Sequence, residues 1–141
     1  MAMDVSKVDV WAVGIDDRPG ALHDKLQPLA DAGANLAFVI ARRSHKNPDR
    51  EAVAFITPLT GARQINAAKN AGFAKTDQMH TLRLEGEDRP GLGAELTRAL
   101  AEANVNLHGL AAAALNGRLV VYLSFDSSDE ANKAARILRK L

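Results

Sequence analysis

Cysteine is absent from the 141-residue sequence, which excludes disulfide bonds, thiolate catalysis and cysteine-ligated metal sites. The four histidines show no paired i, i+4 spacing, so we expect no metal site and no cofactor. The N-terminal residues contain no apolar stretch of the kind found in signal peptides, and the most apolar runs, LAFVIA and LAAAAL, are far too short to span a membrane. These absences predict a cytoplasmic protein that is not embedded in a membrane.

Aromatic residues and net charge are also scarce. Aromatic side chains make up 4% of the sequence, and 18 basic residues nearly balance 17 acidic ones to leave a net charge of +1. A nucleic-acid-binding domain usually carries a dense basic patch, and one that binds RNA on its sheet needs exposed aromatic rings. The closest basic cluster, ARRSHK at 41–46, is interpreted as a strand end and a loop. We therefore expect no nucleic-acid partner.

What the sequence does contain is an internal repeat. The stretch Asp-Arg-Pro-Gly occurs at 17–20 and again at 88–91, 71 residues later. When the twenty residues that start at each motif are aligned without a gap, nine positions are identical. Two long copies of one unit indicate sister domains rather than a solenoid, which needs at least three shorter repeats. We assign domain 1 to residues 1–78 and domain 2 to residues 79–141.

Each copy shows the pattern strand, helix, strand, strand, helix, and the first helix of each is marked by spaced leucines. Domain 1 continues into a short fourth strand at 73–79, which domain 2 lacks. This order predicts an α+β fold of two ferredoxin-like βαββαβ sandwiches in tandem, each an antiparallel sheet with helices on one face. The predicted strands lie at 8–15, 34–43 and 51–57 in domain 1 and at 80–86, 105–115 and 118–125 in domain 2; the leucines are Leu22, Leu26 and Leu29 and Leu92, Leu96 and Leu100, and the second helices lie near 60–71 and at 128–140.

Several residues predict where elements begin and end. Gly33 and Asn104 occupy positions where a left-handed residue ends a helix, and Asn116-Gly117 is a two-residue hairpin signal. Ser127 or Ser128 is expected to cap the last helix, with an acidic residue downstream. In both copies of the motif, the aspartate before the proline is placed to cap the following helix or to complement its dipole.

The repeated motif also suggests a binding chemistry. It leads the chain into a helix N-terminus, where unpaired N–H groups and a partial positive charge attract a carboxylate or a phosphate. A glycine at this point lets a ligand approach the backbone, and an asparagine amide after the helix offers both a donor and an acceptor. Together they suit an amino acid, whose ammonium the motif aspartate could bind. The candidate residues are Asp17, Gly20 and Asn35 in domain 1 and Asp88, Gly91 and Asn106 in domain 2.

Both copies resemble ACT domains, a family of small-molecule regulatory modules. The resemblance is carried by Asp-Arg-Pro-Gly, by the leucines of the helix, and by Gly/Asn-x-Asn-Leu at 33–36 and 104–107. It implies amino acids bound between paired domains, held by the loop–helix junction of one domain and the asparagine region of its neighbour. The sequence departs from the family pattern at Gly93, where a bulky apolar residue is usual. Carried over to this chain, the resemblance implies a site of Asp17, Gly20, Leu22 and Asn35 and a second of Asp88, Gly91, Leu92 and Asn106.

Catalysis and ligand-free association are the competing interpretations. No Ser/His/Asp set or pair of carboxylates recurs between the copies, and the motif lacks the glycine-rich phosphate loop of acylphosphatases, so we expect no enzyme activity. The strand after the first helix is apolar on both faces, which favours a covered sheet and a homodimer. The sequence thus predicts a regulatory module that binds a small amino acid or a related metabolite and acts on a partner enzyme or on its own assembly. The alternative is an oligomerisation or protein-interaction module without a ligand.

Overall fold

The computed structural model of the chain describes residues 3–43, 51–77 and 79–141. The loop predicted at 44–50 lies outside these residues. The chain divides into an N-terminal unit, Asp9–Thr76, and a C-terminal unit that combines the strand Asp4–Val8 with Asp77–Leu141. The elements in chain order are β1 (Asp4–Val8), β2 (Trp11–Asp16), α1 (Ala21–Asp31), β3 (Phe38–Arg43), β4 (Glu51–Thr57), α2 (Gly61–Asn70), β5 (Ala74–Lys75), β6 (His80–Glu87), α3 (Leu92–Glu102), β7 (Gly109–Leu115), β8 (Arg118–Phe125) and α4 (Ser128–Leu138).

The N-terminal unit is one antiparallel four-stranded sheet in the order β3-β4-β2-β5. Its helices follow β2 and β4, as the predicted βαββαβ order requires. The buried core takes alternate residues of the strands, because successive side chains of a strand point to opposite faces. Its largest members are Trp11, Leu29, Ile56 and Phe73, so the only tryptophan is a packing residue of this unit.

The C-terminal unit repeats the same architecture with the order β1-β6-β8-β7. The three leucines predicted to line α3 are all buried, as predicted from their i, i+4, i+8 spacing. They pack on the inward residues of β6 and β8 and on the alanine face of α4. The predicted α+β fold with two ferredoxin-like sheets is therefore confirmed.

The fourth strand of the C-terminal unit comes from the start of the chain. The second copy of the repeat stops after its helix, as predicted, and β1 occupies the place beside β6 that a following strand would take. Its pairing runs antiparallel from Asp4 opposite Glu85 to Val8 opposite Thr81. The division at 78/79 stays a prediction based on the repeat; β1, which lies before it in the sequence, pairs with the second copy. The strand predicted at 8–15 correspondingly begins only at Trp11.

Met3, just before β1, packs directly over Gly86 of β6. A side chain at residue 86 would collide with the Met3 sulfur, and Met3 itself is buried in the C-terminal core. In the N-terminal unit the equivalent position is Ile15, which packs on its own core. Met3 therefore supplies apolar volume to the C-terminal core from a distant part of the sequence. In the first copy, Ile15 supplies this volume from the strand itself.

We expect Gly86→Ala to lower the free energy of unfolding by about 1–3 kcal/mol, the usual range for overpacking. In a Met3→Ala background the loss should fall below about 1 kcal/mol, because the two sites are in contact. Urea unfolding followed by circular dichroism measures both values. Gly93→Ala is the control, since no atom lies within 4 Å of an added Cβ at this helical glycine. Equal losses in both backgrounds would show that Met3 does not rest on Gly86.

The predicted element ends are largely confirmed. Gly33 and Asn104 follow their helices with φ of 85° and 58°, and the hairpin residues Asn116 and Gly117 have φ of 52° and 77°. The Ser127 hydroxyl accepts a hydrogen bond from the Glu130 N–H at 3.1 Å and caps α4.

Three predictions about element bounds and faces differ from the structure. The strands after the first helices begin at Phe38 and Gly109, later than predicted at 34 and 105. The fourth strand of the N-terminal unit is only Ala74–Lys75. In α1 the fully buried residues are Ala21 and Leu29, while Leu22 and Leu26 are half-buried and pack at the edge of the core.

Candidate functional site

The two motif turns have the same backbone geometry. Gly20 and Gly91 stand at the N-caps of α1 and α3 with φ of 85° and 84°, a left-handed conformation that favours glycine. Neither helix start has a side-chain cap, whereas Ser127 caps α4. Of the two roles expected for the motif aspartate, capping the helix is not observed, because a glycine occupies the N-cap and offers no side chain; complementing the helix dipole stays a prediction. The first N–H group of each helix, that of Ala21 or Leu92, donates to the carbonyl of the motif arginine at 3.3 Å, so the N–H groups that follow it are the ones left for a ligand.

The motif arginine ties each turn to its helix. Arg18 Nη2 donates to Asp24 Oδ2 at 3.1 Å, and Arg89 pairs with Glu95 in the same way. Asp24 and Glu95 are the acidic residues of the first helical turns, where a negative charge also complements the helix dipole. Sequence reasoning missed these acids, although their signal was present: an acidic residue lies six positions after the arginine in both copies.

The two motif aspartates differ in their contacts. The Asp17 carboxylate pairs with Arg43 Nε at 2.8 Å, so in this structure it is engaged by the protein's own cation. Asp88 is exposed, and its backbone N–H donates to the Gly117 carbonyl at 2.9 Å. Within the described parts of the chain the Asp88 carboxylate has no ion-pair partner, so it is the more available of the two for a ligand ammonium.

Leu22 and Leu92 are not equivalent. Leu92 directly follows the motif glycine and is buried in the C-terminal core with 2% of its surface exposed. Leu22 is half-buried against the N-terminal core, and the position equivalent to it is the exposed Gly93. The side chain of Leu92 therefore packs the core, whereas Leu22 keeps an accessible apolar surface beside its motif turn.

The candidate asparagines lie at the other end of each helix. Asn35 and Asn106 are exposed residues of the loops before β3 and β7, not the first residues of these strands as predicted. Each first helix has 11 residues, so about 16 Å separates its two ends at 1.5 Å per residue. Gly20 and Asn35 of one repeat are thus too far apart to hold the same small molecule. A site that uses both kinds of residue has to combine two different domains.

A cavity lies beside each motif, at equivalent places in the two units. The one in the N-terminal unit has a volume of about 290 Å³, and the one in the C-terminal unit has a volume of about 260 Å³. The first is lined by Gly14, Ile15, Asp16, Arg18, Ala21, Asp24, Lys25, Pro28 and Ala71, and the second by Met3, Asp4, Glu85, Gly86, Glu87, Asp88, Arg89, Arg118 and Leu141.

Glu85, on the wall of the second cavity, has a perturbed pKa. A hydrogen bond from Arg83 at 3.1 Å, its charge, and the charge of Arg118 at 3.5 Å lower the pKa of Glu85. A lowered folded-state pKa means that this group adds stability above its unfolded-state pKa and loses it as the pH falls through the folded value. Partial burial lowers the pKa of Arg83, but hydrogen bonds to Tyr122 and Glu85 outweigh burial, and its pKa is raised.

No group of three or more histidine or acidic side chains in the described residues is arranged to hold a metal ion. In the same parts of the chain, no helix combines the length and the apolar character that crossing a membrane requires.

Comparison with known proteins places these features in a family context. The family model described as ACT domain matches residues 81–141. Over 145 aligned residues the chain is 28% identical to aspartokinases of Corynebacterium glutamicum and Corynebacterium efficiens, and the alignment covers 95% of this chain and 34% of each relative. The chain therefore spans about a third of the length of the curated relatives it matches.

Solved structures show the same fold. A protein from Bacteroides thetaiotaomicron superposes with a TM-score of 0.79 at 15% identity, covering 96% of this chain and 89% of that one. The regulatory subunit of aspartate kinase from Thermus thermophilus, in a ligand-free form, gives a TM-score of 0.66 at 18% identity, with coverage of 99% and 96%. The fold of this chain thus also occurs in a protein described as the regulatory subunit of aspartate kinase.

Proposed function

Because residues 81–141 belong to the ACT domain family and the preceding repeat has the same motif and fold, we propose that this chain is a non-catalytic regulatory module that binds a small amino acid or a related metabolite. The observation that carries the proposal is the duplicated helix start, opened by a left-handed glycine and lacking a side-chain cap. Such an end offers free N–H groups and a partial positive charge to a carboxylate.

The rest of the site follows from the chemistry of a zwitterion. The ammonium group binds at the exposed carboxylate of Asp88 in one repeat and competes with Arg43 for Asp17 in the other. The amide of Asn35 or Asn106 comes from a neighbouring domain, since each asparagine lies beyond the far end of an 11-residue helix, about 16 Å long, from the helix start of its own repeat. We further propose that the neighbour is supplied through a homodimer.

The regulated partner is proposed from the relatives. Sequence relatives named aspartokinase and a structural neighbour described as a regulatory subunit of aspartate kinase make an aspartate kinase the first enzyme to test. A ligand can shift the activity or assembly of such a partner only through its different affinity for the two states. The amino acid should therefore change the affinity of this chain for the catalytic partner as well as its thermal stability.

We expect at least one free amino acid to stabilise the protein, by about 2.7 kcal/mol at a hundredfold excess over its Kd. Thermal shift measurements with each of the twenty amino acids detect this gain. The double variant Asn35→Ala/Asn106→Ala should lose it, because it removes the carboxamide donor and acceptor from both sites. Asn66→Ala is the matched control, since Asn66 is an exposed asparagine on α2 far in sequence from both motifs. Full stabilisation of the double variant would refute the assigned site.

A second candidate function is association without a ligand. Val39 of β3 and Leu110 of β7 occupy equivalent positions of the two repeats and expose 42% and 45% of their surfaces on edge strands. Exposed apolar side chains on an edge strand are typical of surfaces that pair with another chain. Sedimentation velocity with and without the twenty amino acids separates the candidates: a stable dimer that no amino acid stabilises or alters favours the interaction module.

A further inference from the structure

The two repeats differ at the helix face that turns toward the sheet. Ala21 and Lys25 of α1 align with Leu92 and Leu96 of α3, which are 2% and 1% exposed in the C-terminal core. The N-terminal unit therefore lacks two leucine side chains at positions where its sister repeat is filled. The 290 Å³ cavity lies at this place, with Ala21 and Lys25 in its wall. The equivalent cavity of the C-terminal unit has neither leucine in its wall, so the two cavities differ in lining more than in volume.

The cavity is open to solvent because the strand beside it is short. β5 pairs only with Trp11 and Ala12 of β2, so within the described residues the edge of β2 from Val13 onward has no strand partner on this side. Gly14–Asp16 form the cavity wall there. In the C-terminal unit β1 covers the corresponding edge as far as Glu85, the equivalent of Gly14. A small molecule can therefore enter the N-terminal cavity alongside β2.

Lys25 provides a positive charge inside this space. Its half-buried ammonium donates to the carbonyl of Ala71, at the end of α2, at 2.7 Å, and in the described parts of the chain no carboxylate pairs with it. An ammonium group has three N–H donors, so this bond leaves two for a ligand. A cation that is partly withdrawn from water and lacks a counter-ion favours binding of an anionic group.

The mouth of the cavity carries the opposite charge. Asp16 and Asp24 lie on either side of Arg18, whose guanidinium is 3.7 Å from the first and 3.1 Å from the second. Because one guanidinium group serves both carboxylates, each carboxylate can still accept hydrogen bonds from a ligand. With Lys25 included, the wall holds two positive and two negative charges, so a neutral zwitterion preserves the charge balance that a dicarboxylate or a diamine would upset.

We propose that this cavity is a separate binding site of the N-terminal unit for a small zwitterion, with the ligand carboxylate on Lys25 and its ammonium at Asp16 and Asp24. The volume is just below the range of about 300–1,000 Å³ usual for ligand pockets, which restricts the site to small metabolites. The proposal does not depend on the helix-start site, because it uses a different face of α1 and needs no second domain. The equivalent cavity of the C-terminal unit does not offer this charge balance, because its wall has no lysine and holds four carboxylates against two arginines.

Heteronuclear NMR of the full chain, titrated singly with the twenty free amino acids, tests the site and separates it from the helix-start site. We expect at least one amino acid at millimolar concentration to shift the amide signals of Lys25 and Ala71. The matched carboxylate and amine, each lacking the other charge, should bind at least about tenfold more weakly. Shifts confined to Gly20, Asn35, Gly91 and Asn106 would support the helix-start site and overturn this one.

Two variants and one control separate binding from a purely structural role of Lys25. Lys25→Met removes the charge and Ala21→Leu fills the space while keeping the lysine; each should weaken binding at least about tenfold. Lys133→Met is the control, because Lys133 makes the same 2.7 Å bond to a helix-end carbonyl, that of Ala103, away from the cavity. Unchanged binding in a folded Lys25→Met or Ala21→Leu protein, or no shift at Lys25 with any amino acid, refutes the site.

Discussion

A chain that lacks residues 1–8 should lose the cooperative folding of its C-terminal unit. The deletion removes β1, and with it the buried Met3 and the partly buried Val5. Burial of these two side chains, partial for Val5, accounts for roughly 2–5 kcal/mol, a large part of the 5–15 kcal/mol of total stability usual for a domain. The deletion also leaves β6, the centre of this sheet, with an unpaired edge.

Hydrogen exchange at the amides of β6 and β8 measures the loss, because these central strands should change from strongly protected to rapidly exchanging. The N-terminal unit has its own core around Trp11, the only tryptophan in the sequence. Its unfolding transition, followed by tryptophan fluorescence, should persist in the truncated chain. Loss of both transitions would show that the N-terminal unit does not fold without β1.

A permuted chain provides the control for this deletion. Arg139 donates to the Val5 carbonyl at 3.3 Å, and Leu141 lines the same cavity as Met3 and Asp4. The end of α4 therefore lies close to the start of β1. Moving residues 3–8 to follow residue 141 through a short linker should restore the protection of β6, because it places the fourth strand where the βαββαβ order puts it. If protection of β6 does not return, the truncated chain lost it for a reason other than the absence of the fourth strand.

The repeat explains why the fold could be predicted and β1 could not. The helices, the hairpin and the strand order of both units were predicted from local residue patterns that recur in the two copies of the repeat. β1 reads DVSKV, which is short, largely exposed and charged, and its partner β6 begins 72 residues after it ends. Such a strand forms because it pairs with β6 and because Met3 packs over Gly86. Neither contact can be predicted from the residues of β1 alone.

The candidate site was predictable only in part for a similar reason. Glycine at the helix start and asparagine after the helix follow from residue type, and the structure places both at helix ends. The aspartate was expected to cap the helix or to complement its dipole, and it does not cap the helix, because the left-handed glycine takes the N-cap position. The cavity of the N-terminal unit was missed, although the alignment already set Ala21 and Lys25 against two leucines. A comparison of the copies for differences would have singled out these two positions.

Exchanging these residues between the repeats should have very unequal effects on the stability of the two units. Leu96→Lys buries an ammonium group in a filled core, where Leu96 is 1% exposed, and should cost at least about 4 kcal/mol. Lys25→Leu exchanges a hydrogen bond to a helix end for apolar burial beside a cavity, and should change the stability of its own unit by less than about 1 kcal/mol.

Urea unfolding with two probes measures both effects. Trp11 fluorescence follows the N-terminal unit, and hydrogen exchange at β6 and β8 follows the C-terminal unit. Thr97→Lys is the control for Leu96→Lys, because Thr97 is the next residue of α3 and is exposed, so a lysine there keeps its charge in water. If Leu96→Lys and Thr97→Lys are equally well tolerated, the C-terminal unit has room for a lysine at residue 96, and the two repeats do not differ in how tightly this face of the helix packs.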